Sequence, residues 1–138
     1  MDPTIKAGLL CDYALTSDDG KLSVLGIFGN ISFPSLPNAY PRFFVVLIIS
    51  LDRGTHSMRL GIVDPSGQQI LPEPPTVEVR VEVPGADTNL VIDFNNLPFN
   101  RTGIYQVQLF LEGRLIHSIP LSVQAAAPAP GVRPIRAN

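Results

Sequence analysis

Cys11, His56 and His117 have the plainest capacity for chemistry in this 138-residue chain: a thiol that could attack and two imidazoles that could take its proton. Their spacing says nothing of their geometry, because triads assemble in space. The competing reading is structural. It places Cys11 buried and inert on an early strand, and His56 solvated just after a turn. His117 shares its parity with Leu115, Ile119 and Leu121 and falls at a core edge or an interface. The structural reading is adopted. Two histidines outside ligand spacing make no zinc motif, and one cysteine permits no internal disulfide.

Asp12, Asp18, Asp19, Asp52, Asp64 and Asp87 raise the question of calcium, since acidic loops at one end of a β-fold can gather oxygen ligands. No loop has the dense alternation of such a site. Aspartate at the start of a turn has its own reason in bonds to nearby backbone N–H groups. There is no tryptophan, and Tyr13, Tyr40 and Tyr105 alone offer no broad stacking platform for sugars. Arg42, Arg53, Arg59, Arg80, Arg101 and Arg114 stand singly, and the net charge of -2 supplies no long-range attraction for nucleic acid or anionic lipid. Gly26-x-x-Gly29 matches no nucleotide fingerprint and reads as a bulge or a close strand approach. No catalytic, cofactor-binding or metal-ligating set is assigned, and no cofactor is expected.

The elements that would position any site are strands. A hydrophobic fraction of 45% with 16% charged residues suits one domain with a real core. The run Phe43–Leu51 is the most apolar stretch, rich in β-branched and aromatic side chains and too short to cross a bilayer as a helix. Before it, residues 1–6 read as a loose start, Gly8–Thr16 as a strand of imperfect alternation, Ser17–Gly20 as a turn and Leu22–Phe28 as the returning strand. Pro34, Pro37 and Pro41 bracket a loop over 32–42.

After the run, His56–Ile62 alternates, Asp64-Pro65-Ser66-Gly67 has the residue order of a type I turn, and Gln68–Leu71 is a short return strand. Val77, Val79, Val81 and Val83 alternate with Glu78, Arg80 and Glu82. Leu90–Phe94 follows, then an irregular crossing over Asn95–Gly103, then Ile104–Leu111 and Leu115–Val123 joined at Glu112-Gly113. Eight or nine strands without a convincing helix predict an all-β, two-sheet sandwich, an immunoglobulin-like Greek key. The domain is expected over 1–124, with a flexible Ala/Pro-rich extension over 125–138. Asn100-Arg101-Thr102 reads as an exposed turn. With no basic, apolar leader at the start, the cytoplasm is the expected compartment.

Cys11–Ala14, Gly20–Phe28 and Arg59–Gly67, with Gly103–Tyr105, Glu112–Arg114 and Pro120–Val123 at the end, resemble a family of small bacterial proteins of unknown function. The resemblance spans about residues 8 to 124. It implies a β-sandwich and carries no assigned activity or catalytic residue.

Function is then expected from surfaces. In the central run Phe43, Val45, Leu47, Ile49 and Leu51 form one parity, and Phe44, Val46, Ile48 and Ser50 the other. A sandwich strand buries one face between the sheets, so the second set needs a cover. Leaving it bare forgoes roughly 5 kcal/mol. Phe44, Val46 and Ile48 are the nominated protein-contact residues, with a homodimer as the simplest partner arrangement. The rival is cover from within the chain by residues 30–41 or 95–103, through Phe33, Leu36, Leu97 and Phe99. The expected function is a non-catalytic interaction or structural module, binding itself or another protein and neither nucleic acid nor membrane. The alternative is a small hydrolase-like or ligand-binding enzyme.

Overall fold

The computed structural model describes residues 2–125. Nine strands follow in order: β1 (Thr4–Thr16), β2 (Leu22–Phe28), β3 (Asn30–Phe33), β4 (Asn38–Ser50), β5 (Gly54–Val63), β6 (Thr76–Val81), β7 (Asp87–Phe99), β8 (Gly103–Leu111) and β9 (Arg114–Ala125). They make a four-stranded sheet in the order β2-β1-β4-β7 and a five-stranded sheet in the order β3-β9-β8-β5-β6. β4 beside β7 in one sheet, with β5, β8 and β9 side by side in the other, is the immunoglobulin-like arrangement, and β6 extends the second sheet as in variable-type domains. The expected all-β sandwich is what the chain forms.

Turn chemistry closes the hairpins where the residues demand it. Glu112 and Gly113 both have positive φ, 49° and 80°, as a two-residue hairpin needs, and Leu111 pairs with Arg114 around them. At the turn after β5, Asp64 Oδ1 accepts from Ser66 N at 2.9 Å and Gln68 N at 3.0 Å, and Gly67 N donates to Asp64 O at 2.8 Å.

The core lies between the sheets. Phe43, Val45, Leu47 and Ile49 of β4 face Met58, Leu60 and Ile62 of β5, Val107 and Leu109 of β8, and Leu121 and Val123 of β9. Phe43 stacks on Phe94 of β7 at 5.4 Å. The parity assigned to the central run is thus observed.

Several boundaries differ from expectation. The start is paired rather than loose, with Thr4 opposite Ser50. Of the expected loop over 32–42, Ser32 and Phe33 belong to β3, which runs parallel to β9, and β4 begins at Asn38. The expected crossing from Asn95 runs as strand to Phe99, kinked at Asn96, where φ is 54°. Pro98 is tolerated because β7 is an edge strand. Gln68–Leu71 makes a single bridge, Gln69 to Val63, instead of a strand. Beyond Ala125, the expected extension lies outside the described residues.

A corner sits at the junction of β7 and β8. Tyr105 is buried near the start of β8, and its hydroxyl donates to Arg101 O at 2.8 Å. Its ring meets Phe99 edge-on at 5.1 Å. This is the tyrosine corner of immunoglobulin-like sandwiches, here between the strands equivalent to E and F. It was not read from the sequence, although a tyrosine just after the Asn100–Gly103 turn was the available signal.

Candidate interaction surface

The first strand organises the surface that matters. β1 pairs with β4 only as far as Cys11 opposite Phe44, and beyond that point its ladder partners are on β2. Continued, the same register would bring Ala14 to Pro41, which has no N–H to contribute to a ladder. Instead the strand turns. Cys11 and Ala14 are both buried while Asp12 and Tyr13 between them are exposed, so the inward parity switches across two residues. On β2 the matching break is Gly26, with φ 69°, and the Asp12 carboxylate occupies the space a Cβ there would need.

Past this corner the hairpin folds back over the outer face of the four-stranded sheet. Ala14 and Val24 are cross-strand partners. With Leu22 they pack in one apolar cluster with Leu9, Cys11, Phe44, Val46 and Val91. At the tip, Asn89 Nδ2 on β7 donates to Gly20 O at 3.5 Å. Asn89 pairs with Ile48, so the tip reaches back along β4 well past Phe44.

The nominated contact residues are placed accordingly. Phe44, Val46 and Ile48 do lie on the face away from the main core. Phe44 is 6% exposed and Val46 0%, closed over by Ala14, Leu22 and Val24 of their own chain, and Ile48 is half-buried. The Tyr13 ring stands edge-on to Phe44 at 5.4 Å, and the Arg42 guanidinium lies over the Phe44 face at 4.9 Å. The cover is internal, but not from the segments expected. Phe33, Leu97 and Phe99 belong to the core between the sheets, with Leu36 packed against it.

The hairpin's other face is turned to solvent. Tyr13 and Leu25 are cross-strand partners, exposed by 44% and 64%, the Tyr13 ring keeping one edge on Phe44. Leu15 is 43% exposed, and Ile27, just past Gly26, 62%. These four are most of the large apolar side chains exposed among the described residues; Val83, Ile104 and Leu115 are the others.

The groups with chemical capacity stay apart. Cys11 lies in the outer cluster, its Sγ 3.4 Å from Tyr13 O, and burial pushes its thiol up from the usual range. His117 is on the inner side. Gly8 makes room for it, since a Cβ there would fall 2.7 Å from Nε2. Its position is the expected core edge. The His56 Nε2 lies 2.7 Å from Asp52 O, within its own turn. Among the described residues no three of His, Cys, Asp and Glu gather as metal ligands. Asp64 and Asp19 serve their turns: hydrogen bonds from Ser66 and Ser17 respectively come first among the causes that hold their carboxyls below the usual range. A polar cleft of about 220 Å³ lies between Asp64, Gln68, Gln69, Asn100 and Arg101, but Gln69 Oε1 is taken up by Ile62 N at 2.8 Å and Leu71 N at 3.2 Å. No described helix is long and apolar enough to cross a membrane.

A protein-family model described as "Family of unknown function (DUF6941)" matches residues 6–124. The chain belongs to that family. The resemblance read from the turn and strand motifs is borne out over essentially the same span. No curated protein matches the sequence. Among solved structures, an immunoglobulin-like protein from Pseudomonas aeruginosa is similar at 17% identity, over 89% of this chain and 97% of that one, with a TM-score of 0.40. The Pseudomonas fluorescens alkylpurine DNA glycosylase AlkC, bound to DNA containing an abasic site analog, is similar at 8% identity with a TM-score of 0.42. That match covers 86% of this chain, which spans 30% of the glycosylase's length.

Proposed function

We propose that this member of the family is a non-catalytic protein-interaction module whose contact surface is the outer face of the β1–β2 hairpin. The observation that carries the reading is the exposure of Leu15 and Leu25 on an element whose opposite face is already buried, flanked by Tyr13, half-exposed with its ring edge on Phe44, and by Ile27, exposed beside Cys11 at the corner. Apolar side chains gathered on one face, rather than scattered singly, mark docking sites. The partner is a protein surface of matching apolar character, a second copy of the chain being the simplest. The separation of Cys11 from both histidines supports the non-catalytic reading, and the buried unpaired thiol suits the cytoplasm.

Sedimentation velocity on the wild type and on Leu25→Asp/Ile27→Asp at matched concentrations tests it. The expected result is self-association that the folded double variant loses. If the wild type is monomeric throughout, a different protein is the partner, and affinity capture should then succeed with the wild type and fail with the variant. Equal behaviour of the two proteins in both experiments would overturn the surface.

A further inference from the structure

We infer that the β1–β2 hairpin is an exchangeable flap, and that the outer face it covers is a docking site for the same hairpin of a second copy. The seat is formed by Leu9, Phe44, Val46 and Val91, and the closed chain itself shows what fits it: Ala14, Leu22 and Val24. A hairpin from another copy brings the same side chains, so exchange replaces each contact with its equal. It costs only the freedom lost on association.

The attachment favours exchange over any rearrangement of the main strands. Between Asp12 and Gly26 the hairpin has left the β4 ladder, and its tip is tied by a long hydrogen bond from Asn89 to Gly20 O. The contact beneath is confined to Ala14, the edge of the Tyr13 ring on Phe44, and Leu22 and Val24, the last two only partly covered. Elements with few buried contacts open first. The corner is also a discrete hinge. Gly26 holds a positive φ and stands against Asp12, so the closed form depends on a residue without a Cβ. Lifting the flap uncovers Phe44 and Val46 together, two of the three residues the sequence marks as needing a cover. The inference stands whether or not the hairpin's outer face docks a partner.

The test is made in the Leu25→Asp/Ile27→Asp background, so that outer-face docking does not contribute. Gly26→Val is added to disfavour the closed corner while leaving the seat intact. Sedimentation should show the dimer fraction rising about tenfold or more over the background. A folded protein that stays monomeric overturns the exchange. Should the variant fail to fold, the wild type supplies the second measurement through Cys11, which is 0% exposed beneath the flap. Native-state alkylation should report an opening constant at least about tenfold larger than that of global unfolding. Labelling only through global unfolding overturns the flap.

Discussion

Asn89, in the middle of β7, and Gly20, at the tip of the first hairpin, meet through a hydrogen bond although they are far apart in sequence. Had β1 run straight on from Cys11, Gly20 would lie beyond the other end of the sheet. The contact therefore defines the fold-back. It also explains why a strand as apolar as β4 can be buried on both faces in a sandwich: one face meets the second sheet, the other meets the chain's own hairpin.

Val46→Asp should unfold the protein rather than dissociate it. Val46 is buried under the hairpin, and an unpaired carboxylate there should cost roughly 3–5 kcal/mol. Denaturant melts with sedimentation would check it. A variant as stable as the wild type would show that the hairpin does not bury Val46.

Tyr105→Phe should lower stability by about 1–2 kcal/mol, with the urea m-value unchanged, because it leaves the Arg101 carbonyl of the corner without its hydroxyl donor. A shift within error of zero would show that ring burial alone secures the corner.

Stability should fall at both ends of the pH range. Asp64 has its carboxyl held below the usual range in the fold, so its contribution is present above the unfolded-state pKa and lost as pH falls through the folded one. Asp64→Asn should flatten the acid limb of a stability–pH curve. Burial raises the Cys11 thiol, so its contribution is full below the unfolded thiol pKa and lost as pH rises through the folded one. Cys11→Ala should flatten the alkaline limb. An unchanged limb in either variant would remove that residue from the account.

Much of this was legible in the sequence, and the gaps have physical causes. Alternation in Phe43–Leu51 separated the two faces of β4 correctly, because a buried strand enforces its period of two. The imperfect alternation of Gly8–Thr16 was visible as well. It is the corner itself, where Cys11 and Ala14 turn inward and Asp12 and Tyr13 outward. What could not be read was the direction in which the corner folds, since Gly26 marks a break without giving the course of the chain after it. The ends of β7 and β4 were missed because Pro98, Asn96 and Pro41 read as loop residues, and edge position excuses Pro98 only once the sheet order is known. The contact set followed the same limit: Phe44 and Val46 needed a cover, and only the fold shows that Ala14, Leu22 and Val24 supply it, with Tyr13 and Arg42 against the Phe44 ring.

The most direct test of the folded-back hairpin is a nuclear Overhauser measurement on the full chain with labelled methyl groups. Ala14, Leu22 and Val24 should give cross-peaks to Val46 and Val91, while Leu15 and Leu25 give none to that face. Cross-peaks from Leu15 and Leu25 to Val46, or none between the hairpin and the sheet, would contradict the account.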